Sequence, residues 1–168
     1  MISNKEVKRT FKIFLDSNRQ NSYDGNQFNA TYYVDLTHII FDDESFNKSY
    51  YMTCTFRSIA NTIVNNGITS NDVYSLHIDM GKGLNIYQYN QVKNASFLVP
   101  VCVSNETATP QTYFNLTDNL SNGVFLQNIR NISYITLNLI NTTNNTTFIG
   151  SGIDANLRYV CVLTFIEA

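Results

Sequence analysis

The chain has 168 residues, 43% of them hydrophobic, which is the length of a single domain and enough to form a core without disulfides or metal ions. Charged residues make up 14% of the sequence and the formal net charge is -2, so there is no basic field to give non-specific affinity for phosphates. We therefore expect one domain over residues 1–168 that does not bind nucleic acid directly.

The polar residues are mainly Asn, Thr and Ser, while Tyr and Phe occur 11 times each and Trp is absent. An AT-rich genome is the simpler explanation, because the codons of Asn, Ile, Tyr, Phe and Lys are AT-rich. The same composition also suits extensive protein contacts, since a weakly charged surface costs little to desolvate. The two explanations are compatible.

The first ten residues, MISNKEVKRT, contain charges but no apolar segment or small-residue cleavage site. A run of about 18 apolar residues, the length needed to span a bilayer, does not occur in the sequence. We expect neither secretion nor a transmembrane segment, and without secretion the Asn-x-Ser/Thr sequons carry little weight.

The opening segment Val7 to Arg19 predicts a strand that ends abruptly. Phe11, Ile13 and Leu15 fall on one face of an extended chain, as expected for a strand packed on a core. The run then changes to Asp16-Ser17-Asn18-Arg19, whose side chains compete for backbone hydrogen bonds. We expect this run to form a structural hydrogen-bond network and not an active site.

Alternating patterns predict further strands over Phe28 to Leu36, Tyr50 to Ile59, and Val73 to Met80. Tyr50 to Ile59 is apolar on both faces, which is typical of a central or covered strand. Gly81-Lys82-Gly83 predicts a turn that joins Val73 to Met80 and Leu84 to Tyr89 in a hairpin.

The second half continues with the apolar run Phe97 to Val103, in which Pro100 removes one ladder donor and favours an edge or a bulge. Ser104 to Asn122 is polar and reads as a long surface loop with a weak strand at Tyr113 to Leu116. Strands are then predicted over Val124 to Leu126, Ile132 to Ile140 and Tyr159 to Glu167. A helical turn fits only Ser58 to Val64.

Eight or nine strands without convincing helical periodicity predict an all-β fold, an antiparallel sandwich or barrel. Connections of unequal length favour Greek-key crossovers, and eight strands in two such keys form a single jelly roll. In that fold the first strand lies beside the last. Phe11, Ile13 and Leu15 should therefore share a layer with one alternating set of Tyr159 to Glu167.

The sequence offers little chemistry, and we expect no catalytic, cofactor-binding or metal-binding residues. His38 and His77 lie far apart without ligand-type neighbours at a suitable spacing. Asp42-Asp43-Glu44 lacks the spacing of an EF-hand, and Gly81-Lys82-Gly83 precedes a strand where a phosphate site needs a helix. A nucleophile elbow is missing as well. A pair of carboxylates in a cleft stays open, because such pairing is spatial.

Cys54, Cys102 and Cys161 each fall within a predicted strand. Two of them could meet across a sheet, but buried reduced thiols that act as small apolar side chains are the favoured interpretation. We therefore expect a reducing compartment.

The opening strand through Phe11-Lys12-Ile13-Phe14-Leu15-Asp16-Ser17-Asn18-Arg19, the Phe-led strand from Phe28, and the final Leu163-Thr164-Phe165-Ile166-Glu167 resemble the single jelly-roll minor capsid proteins of large double-stranded DNA viruses. The same layout occurs among penton-type and virophage capsid proteins. The resemblance implies a structural shell component without catalytic residues or cofactors, located in the virion capsid and assembled in the host cytoplasm. Its implied partners are the major capsid protein and other capsid proteins, with several copies or a homo-oligomer.

The alternative function is that of a binding module, either a jelly-roll carbohydrate-binding domain or a fibre head that recognises a surface glycan. An enzyme ranks third. A glycan-binding module should behave as a soluble monomer retained by glycans, whereas a shell component should oligomerise or co-purify with a major capsid protein.

Overall fold

The computed structural model describes residues 8–23, 28–38, 47–59, 73–81, 85–87, 95–104, 111–117, 123–143, 145–147 and 158–168. These residues form strands joined by three short 3-10 helices, over Ser17–Arg19, Leu36–His38 and Ile129–Asn131. The strands, in chain order, are β1 (Thr10–Asp16), β2 (Ser22–Tyr23), β3 (Asn29–Tyr33), β4 (Tyr50–Ile59), β5 (Tyr74–Asp79), β6 (Asn85–Tyr87), β7 (Ala95–Val99), β8 (Val101–Ser104), β9 (Gln111–Leu116), β10 (Val124–Gln127), β11 (Tyr134–Asn141), β12 (Thr146–Thr147) and β13 (Arg158–Glu167).

The strands make two antiparallel sheets. The first sheet has the order β1-β13-β4-β10-β6, and β9 pairs with the far end of β4 and with β8. The second sheet has the order β2-β3-β11-β5-β7, with β12 paired to β11. Aromatic contacts join the inner faces, among them Tyr74 with Phe114 at 5.0 Å between ring centroids. The fold is therefore all-β, as predicted, and its two antiparallel sheets make a β-sandwich.

Strand β13 lies between β1 and β4 and pairs with both of them along the length of each. Its odd-numbered residues Tyr159, Cys161, Leu163 and Phe165 are buried in the core. They share this layer with Ile13 and Leu15, and Phe11 stacks on Phe165 with ring centroids 4.6 Å apart. The predicted neighbourhood of the first and last strands, and the predicted layer, are confirmed.

The predicted hairpin between Val73 to Met80 and Leu84 to Tyr89 is wrong. Both edges of β5 are occupied within the second sheet, by β11 and β7, so β6 finds no edge there. It pairs instead with β10 in the first sheet. Gly81 adopts φ +93°, which suits a turn, but this turn leads the chain from one sheet to the other.

Pro100 divides the predicted strand Phe97 to Val103 into β7 and β8. Strand β7 pairs with β5 in the second sheet, whereas β8 pairs with β9, which lies against β4 of the first. The Pro100 carbonyl accepts a hydrogen bond from Asn115 N at 3.2 Å. The weak strand predicted at Tyr113 to Leu116 is confirmed as β9, which begins two residues earlier at Gln111, while residues 105–110 and 118–122 lie outside the described ranges.

The helical turns lie elsewhere than predicted. Ser58 and Ile59 complete β4, and residues 60–64 are outside the described part of the chain. The strand predicted to reach Leu36 ends at Tyr33 instead. Asp35 then accepts a hydrogen bond from Thr37 N at 2.9 Å, which favours a tight turn over continued extension.

Removal of the last strand tests the central position of β13. Deleting Arg158–Ala168 exposes one edge of both β1 and β4 and removes four buried apolar side chains and the buried Thr164, so we expect loss of cooperative unfolding, measured by circular dichroism during thermal denaturation. Leu163→Ala, at a core position, should lower the free energy of unfolding by about 2–5 kcal/mol. Val162→Ala, on the opposite face of the same strand, should cost at most about 1 kcal/mol. A truncated chain that still unfolds cooperatively would refute this topology.

Candidate interaction surface

The run from Asp16 to Arg19 forms the structural hydrogen-bond network that its composition predicted. Asp16 Oδ1 accepts from Asn18 N at 2.9 Å and so caps the 3-10 helix that ends β1. The buried Ser17 Oγ accepts from Tyr159 N at 3.0 Å and ties this helix to β13. These polar groups therefore hold the capped turn and tie it to the last strand.

Two buried tyrosines connect the sheets. The hydroxyls of Tyr32 on β3 and Tyr159 on β13 lie 2.8 Å apart, and Gln20 Nε2 donates to the Tyr159 hydroxyl at 3.4 Å. Burial raises the pKa of Tyr32 to about 12, and burial followed by the neighbouring Tyr32 raises the pKa of Tyr159. Perturbed pKa values often mark active sites. Here both rings are at most 4% exposed, so a substrate cannot reach them and the pair is structural.

The cysteines fit the prediction of small apolar side chains. Cys54 and Cys161 are buried in neighbouring strands with their Sγ atoms 3.7 Å apart. Cys102, on β8, is partly exposed. The two buried thiols meet across the sheet, as one of the sequence alternatives allowed, and are closed to reagents in water.

The histidines and loop motifs considered for metal or phosphate binding do not form a common site among the described residues. His77 lies half-buried on the outer face of the second sheet, where burial lowers its pKa. His38 belongs to the 3-10 helix Leu36–His38, whereas Asp42-Asp43-Glu44 and Lys82-Gly83 lie outside the described residues. Within the described ranges, no group of three or more His, Cys, Asp or Glu residues could hold a metal ion.

One open cleft of about 350 Å³ lies where Asp35 and Thr37 face Arg130. Its lining also includes Val34, Leu36, Ile132 and Ser133. The Asp35 carboxylate accepts hydrogen bonds from both the backbone N and the hydroxyl of Thr37. This lining supplies one carboxylate where glycoside hydrolysis needs two.

The outer face of the second sheet is polar, as usual for a solvated antiparallel sheet. Hydroxyl pairs run across it, Thr31 with Thr136 at 2.9 Å and Ser75 with Ser96 at 2.6 Å. Tyr33 and Leu98 are its strongly exposed large side chains among the described residues. Tyr33 lies in line with Tyr134 of β11 across the sheet, whereas Leu98 lies in line with Ile140. These two positions are six residues apart along β11, roughly 20 Å, so Tyr33 and Leu98 form no common patch.

The outer face of the first sheet carries more apolar side chains, in rows separated by a row of threonines, Thr53 and Thr164, that are at most 6% exposed. Phe14 lies opposite Val162, while Ile166 lies opposite Tyr51, whose other neighbour is Phe125. Tyr51 and Phe125 pack edge to face with ring centroids 5.3 Å apart. Phe14 is 70% exposed and Tyr51 is 45% exposed. We call this set, with Val160, the apolar face.

Charged groups share the rows of the apolar face. Asp16 and Arg57 lie on either side of Val160, and Lys12 on the edge strand lies opposite Thr164. At the far end of β13, Glu167 accepts from Lys48 Nζ and from Arg9 N, and these contacts, the Lys48 bond above all, lower the pKa of its carboxyl. Apolar side chains interspersed with a few charges suit a protein interface.

The sequence contained a signal for this face that the alternation rule did not identify. Val160, Val162 and Ile166, together with Thr164, alternate with the core residues of β13, so the strand is largely apolar on both sides although only one side faces the core. For β4 the same property predicted a central or covered strand. A strand can be central within its sheet and still present one face to solvent.

Comparisons with known proteins add no assignment, since neither protein-family models nor curated proteins match the sequence. Among the described residues there is also no helix long and apolar enough to cross a membrane.

The contribution of the tyrosine pair can be measured by a double-mutant cycle. Tyr32→Phe and Tyr159→Phe should each lower the free energy of unfolding by about 1–2 kcal/mol, because each leaves a buried hydroxyl with fewer partners. The double variant should lose less than the sum, since both hydroxyls are then gone. Tyr33→Phe, at an exposed neighbouring position, should change stability by less than about 0.5 kcal/mol.

The dependence of the free energy of unfolding on alkaline pH tests the burial of Tyr32 independently. The pKa of Tyr32 is raised from 10.0 to about 12 in the folded chain, so the unfolded chain loses this proton first. The stability that the protonated Tyr32 hydroxyl contributes through its raised pKa is complete below about pH 10 and is lost as pH rises toward 12. Urea denaturation across this range should show a shallower decline for Tyr32→Phe than for the unmodified chain, and equal slopes would contradict the burial argument.

Thiol labelling tests the placement of the cysteines. In the native chain a thiol reagent such as dithiobis-nitrobenzoate should react rapidly with Cys102 alone, because Cys54 and Cys161 are shielded by the core. All three should react in denaturant. The variant Cys102→Ser should remove the rapid phase, and a rapid phase that persists would show that the core thiols are accessible.

Proposed function

We propose that the chain is a structural component of a virus shell, a minor capsid protein of a large double-stranded DNA virus that binds the major capsid protein and other capsid proteins. The apolar face is the observation that carries this proposal. Solvated sheet faces are usually polar, whereas this face exposes the large apolar side chains of Phe14 and Tyr51, in rows four residues apart along β13. Exposed apolar side chains that cluster on one face mark interaction sites.

We propose further that the sandwich is a single jelly roll. Four antiparallel pairs support this fold: β1 with β13, β3 with β11, β4 with β10, and β5 with β7. Counted along the chain, these strands pair first with eighth, second with seventh, third with sixth, and fourth with fifth. A long hairpin wrapped into two sheets has this pairing, and the wrapped hairpin is the pair of Greek keys that defines a jelly roll. Strands β2, β6, β8, β9 and β12 are then additions to it.

The chemistry of the face favours a protein partner. Its exposed groups are phenyl, phenol and aliphatic side chains, which gain by excluding water but offer few hydrogen bonds to a sugar. A shell protein assembled in the host cytoplasm also accords with thiols that are buried as apolar groups.

Glycan binding is the alternative, and Tyr33 is the observation that favours it. Its ring is 71% exposed on the polar face of the second sheet, close to threonine hydroxyls. A single exposed ring provides a small stacking platform, whereas the apolar face presents several side chains on four neighbouring strands. The shell function therefore ranks first.

Two matched variants separate these functions. Tyr51→Glu places a charge in the apolar face, so incorporation into particles containing the major capsid protein should fall about tenfold or more, measured by mass spectrometry of purified particles. Tyr33→Glu changes the same residue type on the opposite sheet and should incorporate normally. Unchanged melting temperatures exclude misfolding as the cause.

Two results would contradict the shell function. The first is absence of the unmodified chain from purified particles. The second is retention of a soluble monomer on a glycan array that Tyr33→Glu abolishes and Tyr51→Glu leaves intact.

A further inference from the structure

Strand β1 forms an edge of the first sheet, since its described pairing is with β13 on one side. Glu167 N donates to the carbonyl of Arg9 at 2.9 Å, so these two residues form a hydrogen-bonded pair of the antiparallel ladder. Such pairs alternate along a strand. The backbone N–H and C=O groups of Lys12 and Phe14 therefore point away from β13, toward a position that no described residue occupies.

The other edges in the described part of the chain are less suited to pairing. Strand β6 has three residues and β2 has two, which is short for a stable ladder. Strand β7 has five residues but is followed by Pro100, which lacks a backbone donor. Strand β1 has seven residues and ends at the capped turn. It is the longest edge of the sandwich that still offers donors and acceptors.

The outward side chains of β1 have a self-complementary order. Lys12, Phe14 and Asp16 follow one another on the same face, as a cation, an apolar ring and an anion. When two copies run antiparallel with Phe14 facing Phe14, Lys12 of each copy faces Asp16 of the other. Asp16 uses Oδ1 to cap Asn18, and its second carboxylate oxygen is available as an acceptor. Aromatic pairs and opposite charges directly across a ladder are stabilising.

We propose that a second copy of this chain pairs with β1 through that register, with the two Phe14 side chains on the two-fold axis. A register centred on Lys12 would place like charges opposite each other. A register centred on Ile13 would place Lys12 opposite Phe14 and leave Asp16 opposite Thr10. The register centred on Phe14 satisfies both charges, and it is isologous, as a closed dimer requires.

Pairing at this edge joins the two first sheets into one continuous sheet. Directly opposed residues of an antiparallel pair lie on the same face, so the apolar faces of both copies are presented on the same side. The dimer thereby doubles the surface assigned to shell contacts. This inference rests on the proposed function, which it deepens by naming a second copy as one of the contacts within the shell.

Charge exchange tests the register. By sedimentation velocity the full chain should reach twice its 19.1 kDa mass in a concentration-dependent way. Lys12→Asp alone and Asp16→Lys alone should each raise the dissociation constant about tenfold or more, because like charges then meet on both sides of the axis. A mixture of the two variants should restore the dimer as a heterodimer, since every charge again faces its opposite.

Phe14→Glu provides a second route should Asp16→Lys unfold the capped turn, since Phe14 is 70% exposed and its loss costs the fold little. This variant should be monomeric. Leu98→Glu is the matched control, at 68% exposure on the edge strand β7, and should remain dimeric. A monomeric unmodified chain, a mixture that fails to restore the dimer, or a dimer that survives Phe14→Glu would each overturn the proposal.

These outcomes are distinct from a failure of the proposed function. A monomer that still enters particles through Tyr51 would refute the β1 dimer and leave the shell function intact. A dimer that shows the predicted charge exchange but never enters particles would refute the shell function alone.

Discussion

The pairing of β13 with β1 on one side and β4 on the other is the constraint on which the rest of the structure depends. It brings the last described strand between segments that lie about 100 residues or more earlier, and its inner residues supply the middle of the core. Tyr159 extends the constraint to the second sheet through the Tyr32 hydroxyl, while its backbone N–H holds Ser17. Strand β13 thus holds in place the edge strand β1, the middle of the core and the capped turn at Ser17–Arg19.

The same strand explains why the surface of the sandwich is asymmetric. A strand paired on both sides has no backbone group left for recognition, so its outer side chains are what it can offer a partner. From Val160 onward those side chains in β13 are Val160, Val162, Thr164 and Ile166, three of them apolar, whereas the outer face of the second sheet carries hydroxyl pairs. The outer face of the first sheet is therefore the more apolar of the two. The proposed shell contacts use this face, and the edge strand β1 borders it.

Sequence patterns predicted what depends on alternation and could not predict what depends on partners. The bounds of β4 agree with the structure, because alternating burial is a property of the residues themselves. The pairing of β1 with β13 was predicted from the expected jelly roll and not from alternation. The hairpin after Val73 to Met80 failed, because a Gly81 turn reports that the chain bends and not which sheet it joins. Pro100 showed where pairing is interrupted, but not that the strand would be divided between two sheets. Exposure of Phe14 and Tyr51 likewise depends on what covers an outer face, which alternation does not encode.

The central claim is that the apolar face is covered by protein in an assembled shell, and hydroxyl-radical footprinting of the aromatic side chains measures this directly. Free chain and assembled particles would be oxidised under the same dose and compared residue by residue. The structure predicts strong protection of Phe14 and Tyr51 on assembly and unchanged oxidation of Tyr33. Equal oxidation of Phe14 and Tyr51 in both states, or protection of Tyr33 alone, would contradict the account.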